Sequence, residues 1–562
     1  MGYYFDDSQS INAYEGTDPQ AIISSLAYRY MGQNLKHGLY YRAYTNNGIV
    51  RTTDYRYLVD FNKIFPESKD KECVWAFTKF YSAGKSSFGW DINCFGPMVV
   101  YVNGEVAYKS DIFKERYSET STRVFMDVEE GWNDIRIQFK KTKAGFGGQF
   151  GTWIGKWDMY TLMPTKERDG QEGFVFTELV PDDYVPEFEI GMSEKDFDKK
   201  LYPIINWSDD EMKKGQLTRM FGTPNGQYAV GYTKVFADDI NNTTHKFTLD
   251  TQGETVVYID KKEVFKTKGG KETFDAQLPL GTYDVYVKCV CGGSDWGYTL
   301  ECDTVEFESA ARVKGTDDVW MYIGTFVNDF EFPFDTASDM LHIVGEPATY
   351  WRLDAPDTFV RPYNENTLFG RWNYPLGVTM YGLLHTAIAI GSEDIKNYIK
   401  DHVQLCIDTL EYALWDKEQY GGATSIHNLL TSIDSLDDCG SFASMMLEVN
   451  KYLGLRDVKK VADYVGDYIY NHQSRLEDGT FFRKEMMHHF HNMTMWADDL
   501  YMSVPFLVRY SQFTGDQKYL DDAANQFFGF KKRLFMPEEK IMSHVYDFKY
   551  DSKTNVPWGR GN

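Results

Sequence analysis

Gly391-Ser392-Glu393-Asp394, Gly454-Leu455-Arg456-Asp457 and Gly515-Asp516 are three versions of one connection, and they decide how the last part of the chain folds. Each places glycine where a helix stops, because glycine enters the left-handed backbone region without a Cβ penalty, and then polar residues where the next helix starts. Apolar stripes flank all three. Val378, Tyr381, Leu384 and Ala387 precede the first connection; Ile395, Tyr398, Ile399, Val403, Cys406 and Leu410 follow it. Phe442, Met445, Met446 and Val449 lead to the second, with Val458, Val461, Ala462 and Val465 after it. Leu500, Val504, Leu507 and Val508 lead to the third, followed by Tyr519, Leu520, Ala523, Phe527 and Phe530. The glycines lie 63 and 61 residues apart, so a helical hairpin of about 62 residues repeats. Stacked hairpins of this kind bury their faces by closing into a toroid or running on as a solenoid.

Upstream the period changes from helical to two. The first 70 residues hold one expected helix, entered by Thr17-Asp18-Pro19, with Ile22, Ile23, Leu26 and Tyr30 on one face. Short alternating strands follow. Val99 to Val102 runs into Asn103-Gly104, a hairpin signal, and Ile135, Ile137 and Phe139 face one way. The pattern then recurs. Thr78-Lys79-Phe80-Tyr81 returns as Thr233-Lys234-Val235-Phe236, and Val99 to Val102 with Glu105-Val106 returns as Val256 to Ile259 with Glu263-Val264. Gly131-Trp132-Asn133-Asp134 returns as Gly281-Thr282-Tyr283-Asp284, and Gly147-Gly148 with Gly151 as Gly292-Gly293 with Gly297. The reading is a duplicated antiparallel β-sandwich of jelly-roll type. The expected domains are an N-terminal segment at 1–70, sandwiches at 71–165 and 216–310, linkers at 166–215 and 311–349, and a helical domain at 350–562.

Composition narrows the function. Lys+Arg of 59 against Asp+Glu of 83 leaves a net charge of −24, which repels nucleic acid and anionic membranes. No stretch approaches the ~18 uncharged apolar residues of a membrane span. Seven cysteines, an odd number scattered over the chain, do not form a disulfide framework and fit reducing surroundings. Cys289-Val290-Cys291 alternates within a strand without a second ligand pair, so it reads as buried thiols rather than a zinc site. The N-terminal MGYYFDDSQS has neither a basic segment nor an apolar signal core, and the chain as written is expected to stay in the cytoplasm unless a leader was removed. Aromatic residues make up 16% of the chain, enough to serve both strand packing and sugar stacking.

The unusual residues gather in the loops between hairpins. Arg371-Trp372-Asn373-Tyr374-Pro375-Leu376-Gly377 places two rings ahead of a helix, and Asp434-Ser435-Leu436-Asp437-Asp438-Cys439-Gly440 places three carboxylates at another. Trp496-Ala497-Asp498-Asp499 repeats the theme after His488, His489 and His491, and Trp558-Gly559-Arg560-Gly561-Asn562 holds a ring and a guanidinium among glycines. Carboxylates also cap helices, so each cluster alone has a structural explanation. The histidines lack an HExxH arrangement and give no metal site. Two acidic clusters at one end of a toroid would face each other across its mouth, and paired carboxylates in different environments suit acid/base chemistry on a glycoside.

Taken in order, WNYPLG (372–377), LDDCG (436–440), WADDLYMSVPFLVRY (496–510), the following TGD, SHVYDF (543–548) and WGRGN (558–562) resemble the unsaturated rhamnogalacturonyl hydrolases of glycoside hydrolase family 105. The unsaturated glucuronyl hydrolases of family 88 are related. The resemblance covers about 350–562 and says nothing firm about 1–330. It implies an (α/α)6 toroid following the two β-sandwiches, and cofactor-free, metal-free removal of a Δ4,5-unsaturated uronic acid from the non-reducing end of lyase-generated oligosaccharides.

Position by position, it matches Asp498 to the general acid/base and Asp438 to the second carboxylate, with Asp437 a rival for Asp438 and Asp499 where the family varies. Tyr374, His544 and Arg560 match sugar-site positions, and Trp372 and Trp558 join them as substrate-binding candidates. The implied chemistry protonates C4 of the C4=C5–O5 vinyl ether from Asp498 and adds water at C5. A neighbouring Asp438 anion would raise the pKa of that acid. Arg560 would pair with the substrate carboxylate, and Trp372 or Tyr374 would stack on the ring. Two alternatives remain at this point: a non-catalytic carbohydrate-binding protein, and another toroid glycosidase or epimerase. Six hairpins need roughly 370 residues, whereas 350–562 supplies about 212, some three and a half hairpins. The sequence therefore leads us to expect only the first half of the toroid here, with the natural polypeptide continuing for roughly 150–200 residues.

Overall fold

The computed structural model describes residues 18–36, 38–46, 48–152, 161–309, 311, 313–337, 349–485 and 492–554. The chain divides into two compact units, Leu39–Tyr363 and Met1–Gly38 with Asn364–Asn562. Antiparallel sheets build the first and helices dominate the second. Among the described residues no helix is long and apolar enough to cross a membrane.

In the sheet unit one arrangement occurs twice. Glu72–Ser82 runs antiparallel to Gly131–Lys140, from Cys73 opposite Lys140 to Ser82 opposite Gly131. Met98–Val102 pairs with the other edge of Gly131–Lys140, and Glu105–Lys109 lies beyond it. Gln227–Ala237, Gly281–Val290, Thr255–Ile259 and Lys262–Thr267 take the same four places. A second sheet accompanies each: Gly147–Gly151, Ser86–Cys94 and Thr122–Val128 in one, and Tyr298–Glu301, Thr244–Thr251 and Gly270–Gln277 in the other.

The duplication extends to irregularities. Both hairpins slip register, at Val100/Tyr101 and at Val257/Tyr258. Asn103 and Gly104 turn with φ of 51° and 86°, and Asp260 and Lys261 make the equivalent turn at 45° and 67°. A two-residue hairpin needs both central residues left-handed to match the strand twist, so the second copy holds lysine in a conformation that glycine adopts more easily. The glycine landmark is where the copies differ. Gly147–Gly151 is itself a strand between two neighbours, whereas Gly292, Gly293 and Gly297 precede the strand Tyr298–Glu301.

Alternation sends one face of each sheet into a core. Val74, Ala76, Ile135, Ile137 and Phe139 meet Trp90, Ile92, Met126 and Val128 from the other sheet. Ala229, Val235, Val257, Val285 and Val287 meet Phe247, Leu249, Phe274 and Leu300 in the second copy. Within 166–215, Val175–Thr177 and Val180–Pro181 pair with Glu72–Ser82, and Leu201–Tyr202 adds beyond Val175–Thr177. Tyr40–Thr45 lies between Val313–Lys314 and Thr358–Tyr363, so the unit begins and ends on neighbouring strands. All seven cysteines are unpaired, and six are buried.

The helical unit consists of α1 (Pro19–Gln33), α2 (Tyr374–Ile390), α3 (Glu393–Asp408), α4 (Leu410–Gln419), α5 (Asn428–Thr431), α6 (Leu436–Leu453), α7 (Val458–Asp467), α8 (Ala497–Thr514) and α9 (Lys518–Leu534). Helix α1 belongs here: Tyr28 Oη lies 2.7 Å from Ser392 Oγ at the start of α3. The connections act as the sequence demands. Gly391, Gly454 and Gly515 carry φ of 69°, 66° and 78°, and the Ser392 hydroxyl accepts from the Ile395 N–H.

The stripes of α3, α6 and α7 are buried as expected. Three others are rotated. In α1 Ala27 is buried while Ile23 and Leu26 are exposed; in α9 Leu520 and Phe527 are exposed while Gln526 and Gly529 face inward. In α2 the core face is Leu376, Met380, Leu383, Leu384 and Ala387, and Val378 is exposed. The α2 stripe read from the sequence has a strict spacing of three, which drifts around a helix of 3.6 residues per turn and leaves the core face within two turns.

Candidate active site

The three helices that begin with the unusual loops meet at their N-terminal ends. Two glycines allow it. A Cβ on Gly377 would lie 2.9 Å from the Phe442 backbone, and one on Gly440 would lie 2.4 Å from the Met502 carbonyl oxygen. Helix α2 therefore touches α6, and α6 touches α8, almost backbone to backbone.

Asp438 sits where two of these ends converge. It lies in the first turn of α6, and its Oδ1 accepts a 2.8 Å hydrogen bond from the Tyr374 N–H at the start of α2. Its backbone carbonyl accepts from Trp372 Nε1–H at 2.9 Å. Two helix N-termini favour negative charge at this carboxylate. The Trp372 indole lies 4.2 Å from the Phe442 ring and is 2% exposed. It offers no open face for stacking and serves the backbone that carries Asp438. Asn373 caps α2 by accepting from the Leu376 N–H.

Asp498 begins α8 and is held from the other side. Thr494–Trp496 pairs antiparallel with Val545–Asp547, and the Ala497 N–H donates to the His544 carbonyl at 2.9 Å. That small sheet delivers the His544 ring to the helix end, with Nε2 2.9 Å from Asp498 Oδ2. The Trp496 ring meets His544 edge-on at 5.1 Å.

Arg483 joins the two clusters. Its Nε donates to Asp499 Oδ2 at 2.9 Å and its Nη2 to Asp499 Oδ1 at 2.7 Å, while Nη2 also reaches Asp437 Oδ2 at 3.1 Å. Burial works against the guanidinium's charge, but Asp499 and Asp437 outweigh it and raise its pKa. Burial pushes the Asp499 carboxyl up to about 6 against the opposing pull of Arg483. Burial also raises Asp434, again opposed by Arg483.

A cavity of about 160 Å³ opens between α2, α6 and α8, lined by residues that include Val378, Tyr381, Ser441, Tyr501 and Arg509. This explains the rotated stripe of α2: Val378 and Tyr381 belong to the cavity wall rather than to the core. Arg509 is fixed there by Glu448 Oε2 at 2.6 Å, Ser444 Oγ at 2.9 Å and Tyr381 Oη at 3.3 Å.

The structure thus brings Tyr374, Asp437, Asp438, Asp498 and His544 to one end of the helical unit. Trp558, Arg560, His488, His489 and His491 lie outside the described residues. Among the described residues no group of His, Cys, Asp and Glu is arranged to hold a metal ion. Arg483 was not singled out in the sequence. Its signal is indirect: two acidic doublets at adjoining helix ends require a buried cation between them.

Residues 355–562 match the model of Glycosyl Hydrolase Family 88. Over 192 residues the chain is 24% identical to the unsaturated rhamnogalacturonyl hydrolase YesR of Bacillus subtilis (strain 168), covering 34% of this chain and 50% of that protein. The chain thus spans about half the length of this curated relative. Two solved structures are also similar: a possible member of the GH105 family from Klebsiella pneumoniae subsp. pneumoniae MGH 78578, and a family 105 glycoside hydrolase from C. acetobutylicum ATCC 824. The first is 16% identical with a TM-score of 0.26, covering 33% of this chain and 42% of its own. The second is 21% identical with a TM-score of 0.25, covering 32% and 45%.

Proposed function

We propose that the protein hydrolyses the bond between a Δ4,5-unsaturated uronic acid and the sugar that carries it, at the non-reducing end of lyase-generated oligosaccharides. The observation that carries this reading is the pair of differently held carboxylates. Asp438 is fixed by two helix N-termini, and Asp498 is set against His544. Environments that differ in this way separate the roles of two like groups.

Asp498 is the general acid. Its proton forms the C4–H bond, the C4=C5 π electrons supply that bond, and the positive charge left on C5 is shared with O5. Water then attacks C5 and gives its proton to the Asp498 carboxylate. The C5 hemiketal opens by breaking C5–O5, and the resulting hemiacetal at C1 expels the remaining oligosaccharide as an alcohol. Asp438, held as an anion, stabilises the cation at C5. His544 orients Asp498 or the water, Tyr374 lies at the sugar, and Trp558 with Arg560 completes the site around the substrate carboxylate. Trp372 acts through Asp438.

In the same reading the two sheet pairs are β-sandwiches at 71–165 and 216–310, joined by 166–215 and followed by 311–349. The hairpins α2/α3, α6/α7 and α8/α9 are successive members of an (α/α)6 toroid within 350–562, and the enzyme works in the cytoplasm. Incubation with unsaturated disaccharides from several lyases tests the activity. Loss of their conjugated-enol ultraviolet absorbance is expected for at least one. No loss with any, alongside saturable sugar binding, would leave a carbohydrate-binding protein instead.

A further inference from the structure

We propose that Arg483 is a positioning residue for Asp438 and Asp498: one buried guanidinium ties the first turns of α6 and α8 together and thereby sets the separation of the two working carboxylates. The inference rests on the reading of the site given above.

The guanidinium does not bind the working residues themselves. It holds their sequence neighbours, Asp437 on α6 and Asp499 on α8. A carboxylate in a helical first turn is carried rigidly by its backbone, so fixing one member of each doublet fixes the other. The fork on Asp499 is bidentate and defines an angle as well as a distance, while the remaining Nη2 hydrogen takes Asp437. Arg483 is itself anchored. Its N–H donates to the Thr494 carbonyl at 2.8 Å and its carbonyl accepts from the Thr494 N–H at 3.2 Å, three residues before α8 begins at Ala497. The Trp496 ring lies 5.2 Å from Cζ.

The Gly440–Met502 contact brings α6 and α8 together and Arg509 ties them farther along through Glu448 and Ser444; the fork adds the tie at the end that carries the two carboxylates. Among the described residues, the groups electrostatically coupled to Arg483 are Asp434, Asp437 and Asp499, with Tyr468 beyond α7.

Two variants separate geometry from charge. Arg483→Lys keeps the charge and loses the fork; kcat on an unsaturated disaccharide is expected to fall about 100-fold with KM within about threefold, and with the pH profile in place. Arg483→Gln loses the charge as well and leaves Asp499 buried without its cation, and kcat is expected to fall at least as far. Wild-type kcat and pH profile in both, with only melting temperature lowered, would overturn the proposal. If either single variant does not fold, Arg483→Gln with Asp499→Asn removes both buried charges: low kcat in the folded double variant supports positioning, and full recovery refutes it. Carboxyl 13C shifts of Asp438 and Asp498 report on the clamp without turnover. Changed titrations in Arg483→Gln with an inactive wild type would sink the proposed activity and keep the clamp; unchanged titrations would sink the clamp whatever the activity.

Discussion

Replacing Gly440 by alanine places a methyl carbon 2.4 Å from the Met502 carbonyl oxygen, where carbon and oxygen ordinarily stay about 3.3 Å apart. The oxygen belongs to the α8 backbone and cannot rotate away, so α6 and α8 must separate by nearly 1 Å. Overpacking of this kind costs about 1–3 kcal/mol. Alanine recovers about 0.5–1 kcal/mol of that through helix propensity. The net expectation is a loss of about 1–2 kcal/mol, or a drop in Tm of some 2–8 °C for a unit of this size. Activity should fall further than stability. A displacement of about 1 Å between cooperating groups costs roughly 100-fold in kcat, and Gly440 lies two residues from Asp438. Gly382 supplies the control: it is exposed in α2, with nothing within 4 Å of a built Cβ, so Gly382→Ala should raise stability by about 0.5–1 kcal/mol and leave kcat alone. Calorimetry and steady-state kinetics on both variants decide the matter. A Gly440→Ala protein as stable and as active as Gly382→Ala would refute the view that helix contact at Gly440 positions the site.

Asp498→Asn should lower kcat by several orders of magnitude with melting unchanged within about 1 kcal/mol, because the amide keeps the shape and cannot donate the proton; near-normal turnover would remove Asp498 from its role. His402 is buried, its Nδ1 accepting from the Gly370 N–H and its Nε2 donating to the Arg371 carbonyl, and burial lowers its pKa to about 4. Its folded-state pKa lies below the unfolded value near 6.5, so its contribution is present above that value and is lost as pH falls toward 4, by about 3 kcal/mol in all. Melting scans should show this loss, and His402→Gln should flatten it; equal slopes in both proteins would contradict the assignment. Chelators should leave activity unchanged, and inhibition by EDTA that added metal reverses would revive the histidines at 488, 489 and 491 as ligands.

What could be read from the sequence follows the range of the interactions involved. The glycine connections and the buried faces of α3, α6 and α7 are local, set by backbone conformation and helical period. The duplicated sheet was legible because four landmarks kept their order, although the second hairpin turns on Asp260-Lys261 without an Asn-Gly signal. Trp372 shows the limit. A tryptophan beside a catalytic loop suggests a sugar platform, and only tertiary packing reveals that its ring is buried on Phe442 with its N–H on the Asp438 carbonyl. Arg483 is farther from reach still. It lies in a short bridge to Thr494, and its importance comes from two carboxylates on different helices that meet only in the folded chain.

The two acidic doublets now have a common logic. Successive residues in a helical first turn differ in direction by about 100°, so the members of a doublet cannot face the same environment. In Asp437-Asp438 the first member goes to Arg483 and the second to the Tyr374 N–H. In Asp498-Asp499 the order reverses, with the first member at His544 and the second on the Arg483 fork. One carboxylate of each doublet neutralises the buried cation, and the other is presented where the helix ends converge. This division favours Asp438 over Asp437 as the second working carboxylate, since a group already paired with a buried arginine is poorly placed to stabilise a developing cation. It also explains why the carboxylates come as two doublets where the proposed chemistry uses one member of each. The clamp needs two anions for one guanidinium, and the anchoring residues must lie next to the working ones for their backbone to carry the constraint.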